Sequence, residues 1–323
     1  MAEYIDYESD YRFLSAYLTR WKTSREYNDK VLVIERLNLI SLPPLPDELL
    51  DLRILKSRIL SFSTCTLPPN IVRIDCNESV IDGLPDLPES LANLCIVRSS
   101  IQHAIEIPSS LKKFGWRFMP NVELPQLSHS SLEQLDVAGD DITSLPELPS
   151  TLRVLMLAYC SSLHELPNTL PPMLDKLSCI SVPITRLPEL PNSLTWLKIC
   201  DTHVSILPDP LPRGLISLDC ANTRIRSLPN ELPQTLMYLC CSGIYLPPFV
   251  DFRERYHPNR YIARVKQRER FLAGLQSDLD DKIFNKKRTV VRCKAIKGEL
   301  MERTWHPDRI FTWCGVDFER DDD

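Results

Sequence analysis

The 323-residue sequence holds only 8 glycines beside 27 prolines. Collagen and flexible linkers raise both residues together, so both are excluded and proline must occupy placed positions. No uninterrupted apolar run approaches the roughly 20 residues that a bilayer-spanning helix needs, and the opening MAEYIDYESDYRF lacks the basic-then-apolar order of a signal peptide. These two absences predict a soluble, intracellular, cytoplasmic protein with no membrane partner. Without secretion, the eleven cysteines are read as small buried apolar groups or free thiols, not as a disulfide framework. CxxC is absent, the only close pair is the vicinal Cys240 and Cys241, and the six histidines lack zinc-finger spacing. No metal and no cofactor is therefore expected.

What is present is a globular balance, 43% apolar and 25% charged, which supports a core along most of the chain. The net charge of −5 is unevenly spread. Residues 251–323 carry 17 Lys and Arg against 14 Asp and Glu, leaving 21 against 29 in residues 1–250. Phosphate binding draws its affinity from clustered cations, so the acidic part speaks against a nucleic-acid partner.

Proline follows an internal period. Segments 145–165, 187–206, 207–227 and 228–245 share the frame LPxLPxxLxxLxLxx. The first apolar residue after the prolines falls at Leu49, Ile71, Leu91, Leu111, Leu132, Leu152, Leu174, Leu194, Leu215 and Leu236, and a weaker copy with Leu32 and Ile34 precedes them. Three residues on stands a second apolar column (Leu52, Ile74, Leu94, Phe114, Leu135, Leu155, Leu177, Leu197, Leu218, Leu239). Two further on stands a third (Ile54, Cys76, Ile96, Trp116, Val137, Leu157, Cys179, Ile199, Cys220, Cys241). Alternation of this kind is the signature of a strand with one face buried. A step of 20 to 22 residues between copies marks stacked units that are stable only together. Each turn would bury about four to six large apolar side chains, at about 1.5 to 3 kcal/mol each. The expected body is a leucine-rich-repeat solenoid of the α/β class: about eleven short parallel strands with an extended, polyproline-like convex side, because a turn this short leaves no room for a helix.

The repeats, residues 31–249, resemble the short, proline-bearing class of leucine-rich repeat found in secreted bacterial effectors. Some of those effectors also carry a ubiquitin-ligase domain with a Cys-x-Asp motif, whereas this chain has 74 residues after the repeats and no Cys-x-Asp. The segment ELMERTWHPDRIFTWC (299–314) is similar to the Trp-His-Pro-x-Arg tail of repeat proteins of giant DNA viruses. That likeness implies a viral protein working in the host cytoplasm. The buried asparagine usual in leucine-rich repeats is replaced by Ser57, Ser79, Ser99, Met119, Asp140, Cys160, Val182, Thr202, Thr223 and Ile244. Irregular turns are expected at Met119, Val182 and Ile244, which satisfy backbone groups poorly.

A solenoid exposes its core at both ends. Residues 1–30 hold Tyr4, Tyr11, Leu14, Tyr17, Leu18 and Trp21 at helical spacing, read as an N-terminal helical cap or as a separate partner-binding helix. Residues 250–323 hold two further stripes, Ile262 to Ile283 and Val290 to Leu300, read as a C-terminal helical cap or tail. The KKR run at 286–288 is read as a solvated helix face, with a nuclear signal or anionic contact as the alternative.

Three constellations bear on chemistry. His306-Pro307-Asp308 resembles the J-domain tripeptide but lacks the long helix that must follow it. Cys200, Asp201 and His203 lie together at a strand end, where these types also serve as ordinary turn residues. Cys293 and Cys314 are the thiols that a ubiquitin-transfer role would use. None forms a nucleophile, base and orienting group in sequence, so no enzyme is expected. In each strand the residues between the buried columns must face the open, concave side. Of these, Arg53, Arg73, Arg117, Met156, Trp196, Lys198 and Tyr238 are the candidate partner-binding residues, being types enriched at interface hot spots or able to pair with a charged partner. The function expected is a non-catalytic scaffold that binds a protein along its concave strands. The alternative is a substrate receptor or other component of a ubiquitin-ligase-type system.

Overall fold

The computed structural model describes residues 7–21, 30–101, 105–119, 123–229 and 232–241. Among these residues one helix, α1 (Tyr7–Trp21), precedes fourteen strands: β1 (Val31–Glu35), β2 (Asn38–Leu39), β3 (Asp51–Leu55), β4 (Arg58–Ile59), β5 (Arg73–Asn77), β6 (Val80–Ile81), β7 (Asn93–Val97), β8 (Lys113–Arg117), β9 (Gln134–Ala138), β10 (Val154–Ala158), β11 (Lys176–Ile180), β12 (Trp196–Lys198), β13 (Ser217–Asp219) and β14 (Tyr238–Cys240). Eleven of them form one sheet in the order β1-β3-β5-β7-β8-β9-β10-β11-β12-β13-β14, and β2-β4-β6 form a second, small sheet. Every neighbour in the large sheet is parallel and in register, so Leu52, Ile74, Leu94, Phe114 and Leu135 stand side by side on successive strands. This is a leucine-rich-repeat solenoid.

Register follows from the apolar columns, because a one-residue slip would turn every buried leucine to solvent. The first and third columns are buried throughout, and so is the second except Leu239, which is half-buried on the last strand. Trp116 is fully enclosed, with its ring 5.7 Å from that of Phe114, and its indole nitrogen has no hydrogen-bond partner among the described residues.

Proline has a sharper role than an extended path. In nine turns a proline carbonyl accepts a hydrogen bond from the first-column N–H three residues on, as in Leu49 to Pro46 (3.1 Å), Leu152 to Pro149 (3.1 Å) and Leu236 to Pro233 (3.1 Å). The second proline of LPxLP thus opens the tight turn that aims the chain into the strand. The hydroxyl just before the first column ties that turn to its predecessor. Ser90, Ser110, Thr151, Ser193 and Thr235 donate to the carbonyls of Ile71, Leu91, Leu132, Leu174 and Leu215.

Serine replaces asparagine at the other end of the strand. Ser57 Oγ accepts from the Leu37 N–H (3.1 Å), Ser79 Oγ from the Ser57 N–H (3.2 Å) and Ser99 Oγ from the Ser79 N–H (3.2 Å). Each also donates within its own turn, Ser57 to the Leu55 carbonyl at 2.9 Å. The small sheet accompanies this serine ladder. Among the described residues it ends at β6 and the isolated bridge from Val80 to Ser100. The irregularity expected at Met119 and Val182 does not reach the main sheet, since both are buried beside full five-residue strands. Ile244 lies outside the described residues. Asp140 corrects the expected column: it is exposed, and the preceding Gly139 has φ of 138° where its counterparts hold a tighter left-handed angle.

Those counterparts follow every other strand of the large sheet whose exit residue is described. Arg36, Lys56, Glu78, Arg98, Phe118, Tyr159, Ser181, Asp201 and Asn222 all have φ between 47° and 57°. The left-handed conformation costs about 1 to 2 kcal/mol for a residue with a side chain. It is held because each turn's N–H then reaches its neighbour, as in Arg36 to the Leu55 carbonyl (3.0 Å) and Tyr159 to the Ile180 carbonyl (2.9 Å). At the N-terminal end, α1 contributes Leu14 and Leu18 to the core, Tyr17 packs against it, and Asp10 accepts from the Asn38 N–H at 2.6 Å. Tyr11 remains 37% exposed. Tyr4, the side chain of Trp21, and both C-terminal stripes lie outside the described residues.

Candidate protein-binding face

The alternation that buries the columns leaves three columns of side chains on the opposite face. The middle one runs Val33, Arg53, Asp75, Cys95, Gly115, Asp136, Met156, Ser178, Lys198, Asp219 and Cys240, each beside the next in register. All seven candidate residues are on this face, at least partly accessible. The structure divides them by chemistry.

The four cations are engaged by aspartates of the same face. Arg53 pairs with Asp51 and Arg73 with Asp75, both at 2.7 Å; Arg117 pairs with Asp136; Lys198 Nζ lies 3.6 Å from Asp219. Hydrogen bonds donated to Asp51, Asp75 and Asp136 hold the three guanidinium groups above the ordinary arginine range. Pairing along and across strands fixes these long side chains in place and makes this part of the face nearly neutral. Trp196, Met156 and Tyr238 instead present apolar surface. Tyr238 is 53% exposed, and the small Ser217 separates it from Trp196 in register. Lys113 and Lys176, on the same outer column as Trp196, have no acidic partner among the described residues.

One rim was not found by sequence reasoning. The left-handed residues leaving each strand form their own ladder: Glu78 bridges Lys56 (3.8 Å) and Arg98 (3.4 Å), Arg98 lies 5.2 Å over the Phe118 ring, and Phe118 meets Tyr159. Its signal was the steady position five residues after each strand begins, not residue type.

Catalytic geometry does not assemble at the strand-end trio. Cys200 is buried with its thiol pushed up to about 12 by burial and by Asp219, His203 is exposed, and Asp201 accepts from Asn222. Burial likewise raises the thiols of Cys65 and Cys160 to about 11 and of Cys76 to about 12, and those of Cys95 and Cys179 upward. Cys220, 3.5 Å from Cys241, is raised by that contact and by burial. A thiol so shifted is a poor nucleophile near neutral pH. His306-Pro307-Asp308, the KKR run, Cys293 and Cys314 lie outside the described residues. Among the described residues no helix is long and apolar enough to cross a membrane.

The chain matches no protein-family model, and no curated protein matches it significantly. Among solved structures, YopM from Yersinia enterocolitica aligns with 69% of this chain at 26% identity and a TM-score of 0.49. This chain spans 54% of that protein's length. YopM from Yersinia pestis, described as a leucine-rich effector protein, aligns with 77% of this chain and 98% of its own at 21% identity and a TM-score of 0.37. An internalin from Listeria monocytogenes aligns with 69% of this chain and 83% of its own at 14% identity and a TM-score of 0.37.

Proposed function

We propose that this chain is a non-catalytic scaffold that binds a protein partner along the concave face, with Met156, Trp196 and Tyr238 as apolar anchors. The observation that carries the reading is the division of the face. Arg53, Arg73, Arg117 and Lys198 are locked by aspartates, while the apolar and aromatic side chains between and beyond them are left for contact. Rigid surroundings lower the side-chain entropy lost on binding, and aromatic anchors in such settings contribute most of the affinity. The raised thiols support a role without covalent chemistry. Residues 1–30 and 250–323 serve in this reading as covers for the two ends of the stack, and the protein acts inside a cell. Affinity purification of the full chain from cells that express it, beside a Trp196→Ala/Tyr238→Ala variant, tests the proposal. Proteins recovered with the wild type and lost with the variant support it; an identical set from both overturns it.

A further inference from the structure

We infer that the partner segment seated on this face is acidic, its carboxylates meeting Lys113 and Lys176 while one apolar side chain lies over Val154 between them and another reaches Trp196 beyond Lys176; the inference rests on the concave-face reading above. The outward positions of the eleven strands hold six cations (Arg53, Arg73, Lys113, Arg117, Lys176, Lys198) and five carboxylates (Glu35, Asp51, Asp75, Asp136, Asp219). Four cations are paired with the four aspartates, and Glu35 is 3.7 Å from Arg36. What is left over is two lysines and no carboxylate. The face is therefore locally cationic although residues 1–250 as a whole are acidic.

Both lysines stand in one column, in the register Lys113, Gln134, Val154, Lys176, followed by Trp196. Three strand spacings separate them, about 14 Å between backbones. Two strands lie between: β9 presents Gln134 and the Arg117-paired Asp136, and β10 presents the half-buried Val154 and Met156, so an aliphatic floor adjoins Lys176 on the side that faces Lys113. Covering an unpaired lysine with a neutral surface costs its hydration, whereas a carboxylate replaces that hydration with a charge-assisted hydrogen bond. A basic segment would meet two uncompensated cations and find the aspartates taken. Nucleic acid fits less well: two free lysines on an acidic body supply few phosphate contacts, and the aliphatic floor gives a phosphate backbone nothing to bind.

The test is selection from a random-peptide display library against the full chain, its Lys113→Glu/Lys176→Glu variant and its Trp196→Ala variant, with thermal melts to confirm that all three fold alike. The wild type should enrich Asp and Glu roughly threefold over the starting library, together with aliphatic or aromatic residues between them. Charge reversal should abolish that enrichment, and Trp196→Ala should weaken the wild-type peptides about tenfold. Failure to select any peptide, or acidic enrichment that survives the reversal, overturns the inference. Peptides weakened by Trp196→Ala but indifferent to charge overturn only the acidic partner, leaving the concave face standing. Peptides bound equally by all three proteins overturn the concave-face reading as well. Tight binding of a random single-stranded oligonucleotide, lost on charge reversal, would reassign the lysines to nucleic acid.

Discussion

Phe118 and Tyr159 leave strands two turns apart, yet their ring centroids lie 6.4 Å from each other because the intervening turn places Gly139 between them. A Cβ on Gly139 would sit 3.3 Å from both the nitrogen and the Cα of Phe118, at a φ that side chains rarely adopt. Gly139→Ala should therefore cost about 1 to 3 kcal/mol, read by chemical denaturation. An alanine variant as stable as the wild type would show that the rim does not need this glycine.

The other left-handed positions make the reverse prediction. Lys56 holds φ of 49°, its N–H donates to the Asn77 carbonyl, and its side chain makes an exposed pair with Glu78. Lys56→Gly should leave stability unchanged or raise it by up to about 1 kcal/mol, while Lys56→Val should lower it by a similar amount or more. Denaturation midpoints of the two variants decide the matter, and equal midpoints would contradict the strain.

Leu197 is fully buried in the second column, whereas the adjacent Lys198 faces outward with its side chain 30% exposed. Leu197→Asp should unfold several turns, because an unpaired charge enters the shared core. Lys198→Asp should cost no more than about 1 kcal/mol, the scale of a partly exposed pair. Thermal unfolding of both variants checks the register, and equal losses would show it to be wrong.

The columns are legible in the sequence because they rest on two local regularities, alternation along a strand and the recurrence of LPxLP. The faces followed, so the seven candidate residues stand on the side of the strands opposite the buried columns. Their pairing was not read, although Asp51 with Arg53 and Arg73 with Asp75 stand two residues apart on one face. Arg117 with Asp136 needed the register between turns. The left-handed positions were hidden because Arg, Lys, Glu, Phe and Tyr occupy a site where sequence reasoning looks for Gly or Asn. Asp140 was misplaced because the wider angle at Gly139 shifts the exit from β9, a change no composition reveals.

Alkali should destabilise the fold through its thiols. Burial raises Cys76 and Cys200 to about 12 and Cys160 to about 11, against 9.0 for the free group. Unfolded chains then lose these protons first, so stability is whole below about pH 9 and declines as pH rises toward 12. Melting temperatures should be flat from pH 7 to about 8.5 and fall thereafter. Substituting Cys76→Ala should shrink the alkaline decline, and an unchanged pH profile in that variant would contradict the assignment.

The central claim is that the concave strands carry the binding, and site-specific photo-crosslinking tests it most directly. A photoreactive amino acid replaces Met156, in the middle concave column, in one protein and Ile206, 77% exposed on a return segment, in another. Both are expressed in the cells that make the chain and irradiated there. The account predicts a discrete crosslinked protein from position 156 that is absent from position 206 and lost when Trp196→Ala is added. Crosslinks from position 206 alone, or from both positions equally, would contradict it.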